Sequence, residues 1–158
     1  SVCLGSPMFF SGTALPAVDT VRLWGWLFEN INAPVLSQSS SHIFNSAGNH
    51  DVVFFASHAG YAGCATSIQK PVFVRTKPVG AFTNNNICAG LSTNLSDSSF
   101  SPDSAAITAW WGDLGNGQTS NIKNPQVLYN STDTVTIRLV VQTGSCVSDT
   151  ISKSLIVK

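Results

Sequence analysis

Short apolar runs alternate with Ser, Thr and Asn along the whole chain. Segments such as residues 21–28 and 134–141 are rich in the β-branched and aromatic residues that favour strands. No window keeps an apolar period of 3.6 residues, so we predict almost no helix. The pattern therefore predicts an all-β protein built from short strands and turns.

The pattern is present twice, and its landmarks recur in the same order with nearly constant spacing. The equivalent positions are Cys3 and Cys88, Trp24 and Trp110, Phe44 and Tyr129, Val52 and Ile137, and Cys64 and Cys146. We predict two domains, residues 1–75 and 76–158. A short, semi-rigid connection is expected at residues 75–78, which include a proline.

Each copy is predicted as a run of short strands. In the first copy, strands are predicted at residues 7–10, 21–28, 51–57 and 71–74, with a polar turn at residues 37–41. In the second copy, they are predicted at residues 79–82, 92–95, 106–111, 134–141 and 151–157. Nothing equivalent to residues 79–82 precedes Cys3, so the first copy is expected to lack this edge strand. The turn signals between the strands favour a β-sandwich in each copy.

Charge is scarce, and this narrows the possible partners. Only 10% of the residues are charged and the formal net charge is +0. We therefore expect no nucleic-acid partner, because a basic patch is missing from the sequence. The apolar runs are too short for membrane insertion, and no leader sequence opens the chain, so we expect a segment of a longer protein. No cofactor is predicted.

Each copy has one cysteine near its start and one after its long predicted strand. The economical arrangement is one disulfide per domain, Cys3–Cys64 and Cys88–Cys146. The alternatives are four buried thiols or, less favoured, a zinc site, because no Cys-x-x-Cys pair is present. Disulfides would indicate a secreted or cell-surface, extracytoplasmic location.

The tryptophans divide into two kinds by strand alternation. The predicted core anchors on the inward faces are Trp24, Phe28, Trp110 and Leu114, joined by Tyr129. Gly112 stands where the first copy has Trp26, which implies a local difference in volume. Trp111 points to the opposite face and is a weak binding candidate, able to stack on a sugar ring with Tyr61 or to contact a neighbouring domain. Its alternative is ordinary packing beneath a loop.

No constellation of residues indicates catalysis. His42, His50 and His58 are interpreted as structural or solvent-exposed, with a metal site as the weaker alternative. Asp97 is predicted to cap a turn, although Asp97 and Asp103 could contribute to a calcium site. No Gly-x-Ser-x-Gly motif or paired acid and base is present, so we predict no enzyme and no catalytic or metal-binding residues.

One stretch of the second copy resembles a known family. It has Gly112, Asp113, Leu114, Gly115, Asn116 and Gly117, followed by Asn124, Pro125 and Tyr129. This order resembles the Trp-Asp-Phe-Gly-Asp-Gly signature of the PKD (polycystic kidney disease-type) domain, especially the cysteine-containing repeats of secreted Bacteroidota surface proteins. The first copy is more diverged. The resemblance implies a tandem repeat of immunoglobulin-like sandwiches without catalytic activity.

The resemblance also implies a role. We expect a structural or adhesive module, a spacer or protein-interaction segment of a larger bacterial protein of the adhesin or gliding-motility type. Its partners would be other domains of the same polypeptide, and surface proteins or glycans. The alternative is a carbohydrate-binding or substrate-presenting accessory of a secreted hydrolase. Asp-Ser/Thr-apolar segments such as Asp133-Thr134-Val135 also resemble the O-glycosylation motif of the Bacteroidota, although such a segment also simply leads a turn into a strand.

Overall fold

The computed structural model describes residues 1–13, 21–29, 33–58, 65–84 and 87–158. These residues form strands and turns without a helix, which confirms the all-β prediction. No helix long and apolar enough to cross a membrane is found in the described part of the chain. The chain divides into two compact units, Ser1–Arg75 and Thr76–Lys158, called unit 1 and unit 2 below.

Unit 1 contains a four-stranded sheet and a two-stranded ribbon. Its strands are β1 (Val2–Cys3), β2 (Pro7–Ser11), β3 (Val21–Phe28), β4 (Ser39–Ile43), β5 (Gly48–His58) and β6 (Ala65–Arg75). The sheet has the order β1-β6-β5-β3, and β2 pairs with β4 in the ribbon. All pairs are antiparallel except β1 with β6, which is parallel.

The core of unit 1 lies where the ribbon packs on the sheet. The ring of Phe10 in β2 lies 5.4 Å from Trp26 and 5.1 Å from Phe28 in β3, measured between ring centroids. The buried cluster consists of Trp26, Phe28, Phe44, Val52, Val72 and Val74. Two layers with a shared apolar core are the build of a β-sandwich.

The polar turn predicted at residues 37–41 is wrong, because most of this segment belongs to strand β4. Ser39, Ser41 and Ile43 face solvent, whereas Ser40 and His42 are partly buried. The whole strand is paired with β2. Serine has little intrinsic preference for strands, so it is the partner strand that decides the conformation here.

Unit 2 contains the remaining seven strands. They are β7 (Phe82–Asn84), β8 (Ser92–Asp97), β9 (Ile107–Asp113), β10 (Thr119–Ser120), β11 (Gln126–Leu128), β12 (Thr134–Thr143) and β13 (Ile151–Ile156). One sheet has the order β10-β9-β12-β13 and the other the order β11-β8-β7. The buried residues between them are Ile87, Leu95, Leu114, Val127, Tyr129, Val135, Ile137, Leu155 and Val157.

Two of the predicted core anchors lie outside the buried clusters. Phe28, Leu114 and Tyr129 are members of these clusters. Trp24 is only partly buried and stacks on Phe54 at 5.7 Å between ring centroids. Trp110 is also partly buried, with the Lys123 ammonium group 5.7 Å from its ring centroid. Strand alternation gives the face of each tryptophan but not its distance from the centre of the core.

The predicted pairing of Cys88 with Cys146 is wrong. Cys88 is a free, exposed thiol, while Cys3 and Cys146 each take part in a disulfide. The reason lies in alternation: Ile87 is buried and Ala89 packs against the core, so the side chain of Cys88 between them points outward. Cys146, in contrast, is completely buried. Cys64, the other half of the first predicted pair, lies outside the described residues.

Candidate functional site

In each unit, a segment that contains a cysteine pairs in parallel with the last residues of the unit. In unit 1, Val2 pairs with Val74 and Cys3 with Arg75. The Leu4 amide donates to the Arg75 carbonyl at 2.8 Å. In unit 2, the Lys158 amide donates to the Ile87 carbonyl at 2.9 Å, and the Ala89 amide donates to the Lys158 carbonyl at 2.8 Å.

These two arrangements are equivalent in the repeat. In a parallel bridge, two hydrogen bonds to one residue come from the residues on either side of its partner. The two bonds in unit 2 lie on either side of Cys88 in this way, so Cys88 is paired with Lys158 as Cys3 is paired with Arg75. We call each arrangement a terminal clamp, formed by residues 2–4 with 74–75 in unit 1 and residues 87–89 with 158 in unit 2. The same backbone pairing is therefore present in both copies of the repeat.

The turn after β9 is fixed by its own side chains and by Tyr129. The Gly115 amide donates to the Asp113 carboxylate at 3.0 Å, and the Tyr129 hydroxyl donates to the Leu114 carbonyl at 2.7 Å. Burial, and to a smaller degree the charge of Asp113, raises the pKa of Tyr129 above its ordinary value. These signature residues therefore have structural roles.

The acidic residues considered for calcium are also used within turns. The Asp97 carboxylate accepts hydrogen bonds from the Ser99 amide at 3.2 Å and the Ser99 hydroxyl at 2.5 Å. The Asp103 carboxylate accepts from Ser101 at 2.6 Å and from the Ala105 amide at 3.2 Å. Among the residues that the structure describes, no group of three or more His, Cys, Asp or Glu side chains is arranged to hold a metal ion.

Trp111 lies on the exposed face of the β9–β12–β13 sheet. It is 43% exposed and pairs across the strands with Val140. Two residues along β9, Asp113 faces Arg138, whose guanidinium lies 3.1 Å from the carboxylate. The face thus presents one large aromatic surface beside a pair of oppositely charged groups. Tyr61, the aromatic partner considered with Trp111, lies outside the described residues.

A cluster of two histidines and one glutamate lies at the end of β3 in unit 1. Glu29 has its two carboxylate oxygens 2.8 Å from His50 Nδ1 and 3.5 Å from His42 Nε2. His42 stacks on Phe28, with ring centroids 4.5 Å apart and planes 3° from parallel. Glu29 is therefore a shared partner of His42 and His50 in the folded chain.

Sequence reasoning missed Glu29. It is the chain's sole glutamate, and it adopts a left-handed backbone conformation with φ of 52°. A non-glycine residue in this conformation costs free energy and marks a position held by its surroundings. The rarity of glutamate was the available signal, but its histidine partners lie on β4 and β5, which only the fold brings together.

No family model matches the chain, and no curated protein matches it. Among solved structures, the PKD1 domain of Vibrio anguillarum Epp is 25% identical, with a TM-score of 0.48 over 53% of this chain and 96% of that one. The PKD1 domain of the Vibrio cholerae metalloprotease PrtV is 28% identical, with a TM-score of 0.46 over 52% of this chain and 98% of that one.

The match to the three N-terminal domains of the bacteriophage RB49 Highly Immunogenic Outer Capsid protein covers 99% of this chain and 55% of that one. Its TM-score is 0.54 and its sequence identity 8%. This similarity shows a shared fold. Together with the two-layer build of the units, it supports an all-β, immunoglobulin-like protein.

Proposed function

We propose that the chain is a non-catalytic extracellular module in which two PKD-like domains, residues 1–75 and 76–158, act in tandem as a spacer. It would belong to a larger secreted or cell-surface bacterial protein of the adhesin or gliding-motility type. Its partners would be flanking domains of the same polypeptide and surface proteins. The presence of the terminal clamp in both units is the observation that carries this proposal.

The clamp has the geometry that resists extension. Because β1 and β6 are parallel, pulling the start of β1 away from the end of β6 acts along both strands. The hydrogen bonds between them are then loaded together in shear instead of opening one after another. In unit 2, residues 87–89 and Lys158 are paired in the same way, but β7 precedes them and pairs with β8. This clamp is therefore loaded after β7 has separated from β8. A spacer under tension at the cell surface needs this resistance.

The cysteine chemistry supports an extracytoplasmic location. Cys3 and Cys146 are disulfide-bonded, and disulfides persist in oxidising compartments and are rare in the cytosol. The low charge of the chain is compatible with protein or glycan partners and gives no attraction to nucleic acid.

Single-molecule force spectroscopy on the full chain, pulled from its ends in the presence of a reductant so that no disulfide carries the load, tests the spacer role. Leu4→Pro and Ala89→Pro each remove one amide donor of a clamp while leaving the preceding residue extended. Each variant should lower the unfolding force of its own unit. Relative to Leu4→Ala and Ala89→Ser, each should also cost about 1 kcal/mol in equilibrium stability, the typical net value of one hydrogen bond. The comparison is made with these variants because the side chain of Leu4 also packs against the core.

Leu4→Ala and Ala89→Ser are the matched controls, because they change the same side chains and retain the amide donor. They should unfold at forces closer to the wild-type value than the proline variants do. If both proline variants unfold at the wild-type force, the clamps do not carry the load and the spacer proposal loses its basis.

A second candidate function is carbohydrate binding by the exposed face of unit 2. It rests on Trp111, whose indole ring is open to solvent beside the Asp113–Arg138 ion pair. A sugar ring presents an apolar face to an aromatic ring and hydroxyl groups to charged neighbours. This face therefore has the two kinds of group that a glycan needs.

Binding to immobilised cellulose, chitin, starch and alginate tests this candidate. Trp111→Ala should weaken binding by about fivefold, in line with roughly 1 kcal/mol for an aromatic contact. Phe9→Ala is the matched control, since Phe9 is an exposed aromatic residue of unit 1, with 78% of its surface accessible. Equal binding by both variants, or none by the wild type, would exclude Trp111 as a glycan contact for these polysaccharides.

A further inference from the structure

The ribbon of unit 1 corresponds to the smaller sheet of unit 2 with one strand fewer. The spacing that separates Cys3 from Cys88 places β2 at β8 and β4 at β11. β8 lies between β11 and β7, whereas β2 pairs with β4 and with no other strand of the described residues. The position that β7 occupies in unit 2 therefore has no described occupant in unit 1.

The backbone of β2 directs hydrogen-bonding groups to this side. The Gly12 amide donates to the Gln38 carbonyl at 2.9 Å and so continues the ladder between β2 and β4. Pairs with and without hydrogen bonds alternate along an antiparallel ladder, so the amides and carbonyls of Phe9 and Ser11 point away from β4. An edge of this kind is a template for a further strand.

β8 uses its two sides in the same way. The Leu95 amide donates to the Pro125 carbonyl at 3.0 Å, on the side of β11. The Ser98 amide donates to the Ala81 carbonyl at 2.9 Å, on the side of β7. The same alternation therefore meets a partner strand in unit 2 on the side that is open in β2.

The two cores also differ at this edge. Phe82 of β7 packs against the core of unit 2, and Leu95 of β8 is 4% exposed. Phe10, the equivalent of Leu95 in unit 1, is only partly buried. A strand in the position of β7 would remove apolar surface of unit 1 from water, which favours its docking.

The register of β7 defines the chemistry of the additional strand. Phe82 pairs with Asp97, whose equivalent in unit 1 is Gly12. A Cβ atom at Gly12 would meet the ring of Phe54, so this position faces the core. The strand therefore needs a large apolar side chain opposite Gly12, beside Phe54. It needs no charge, since neither β2 nor residues 79–86 contain a charged residue.

We propose that the free edge of β2 is a docking site for an extended strand of the same polypeptide, which runs antiparallel to β2 and leads into β1. Unit 2 indicates this source, because β7 ends at Asn84, shortly before the terminal clamp at residues 87–89. The inference rests on the proposed function, in which both units belong to a longer protein. Strand addition would join a flanking segment to unit 1 through backbone hydrogen bonds.

A graft on the full chain tests this site. Residues 78–85 are copied directly ahead of Ser1, which keeps the spacing between β7 and its clamp. Hydrogen exchange measured by NMR should show rapid exchange of the Phe9 and Ser11 amides in the wild type. In the extended chain, these amides should gain about tenfold protection, the order expected for one net hydrogen bond.

Two proline variants of the extended chain are the matched controls. A proline in place of the threonine copied from Thr83 removes the amide that pairs with β2. Ser11→Pro removes an amide from the open edge of β2 and leaves the hydrogen bonds to β4 in place, because proline is tolerated where the amide faces away from the ladder. Each variant should return the Phe9 amide to rapid exchange.

Four outcomes would overturn the proposal. The first two are rapid exchange of Phe9 and Ser11 in the extended chain, and protection that persists with the proline at the copied Thr83. The third is protection of both amides in the wild type at every protein concentration, which would show that the chain itself covers the edge. The fourth is protection that appears together with a dimer in sedimentation, which would identify a second copy as the occupant. The spacer role is tested separately, since its force measurement reads the clamps and not the edge of β2.

Discussion

At the residue scale, the two copies fill the same strand position in different ways. Trp26 fills the core of unit 1 and is 6% exposed. Its equivalent, Gly112, leaves a small cavity of about 20 Å³, lined in part by Phe82, Leu95 and Leu114. A Cβ atom at Gly112 would meet its nearest neighbour, the Ser120 carbonyl oxygen, at 3.6 Å, an ordinary contact. Neither backbone strain nor close packing therefore explains this glycine.

Gly115, three residues further on, is different. Its φ of 76° lies in the left-handed region, and a Cβ there would come within 2.7 Å of the Thr136 carbonyl oxygen. Gly115→Ala should therefore destabilise unit 2 by about 1–2 kcal/mol or more. Gly112→Ala should be neutral or stabilising by about 0.4–1 kcal/mol, because alanine reduces the freedom of the unfolded chain. Denaturant unfolding of both variants checks this, and equal losses would contradict the contrast.

At the scale of the strands, sequence patterns located most of the strands but not the residues at which they begin and end. The segment predicted at residues 21–28 coincides with β3 because its apolar and aromatic residues also determine its burial. β5 and β6 extend beyond the predictions, because Gly48 pairs with Val74 and Ala65 with Ser57. These ends are strands because a partner strand supplies hydrogen bonds. The sequence of one segment alone does not show which partner it will have.

The difference between causes within one segment and causes that need a partner segment also explains which features of the sites could be predicted. The exposure of Trp111 follows from alternation along one strand, which the sequence contains. The terminal clamps and the contacts of Glu29 with His42 and His50 join segments that are distant in the chain. Interaction partners of this kind depend on strand order, and the repeat predicts two similar units without predicting that order.

At the scale of the whole molecule, equivalent cysteines of the two units differ in their chemistry. The sequence repeat suggests equal roles for Cys3 and Cys88, and the backbone agrees, since both lie in terminal clamps. Their sulfur chemistry differs, because Cys3 is disulfide-bonded and Cys88 is a free thiol. Equivalent backbone positions therefore do not imply equivalent disulfides, and this is why the predicted pairing of Cys88 with Cys146 is wrong.

Thiol labelling of the folded, non-reduced protein should separate these cysteines. A maleimide should react with Cys88, which is exposed, and leave Cys3 and Cys146 unmodified until a reductant is added. Peptide mapping by mass spectrometry assigns each label, and Cys88→Ser is the control that should abolish labelling of that peptide. Labelling of Cys146 without a reductant would contradict the disulfide. Protection of Cys88 under the same conditions would show that its thiol is engaged, and would restore the one-bridge-per-domain arrangement that the repeat predicts.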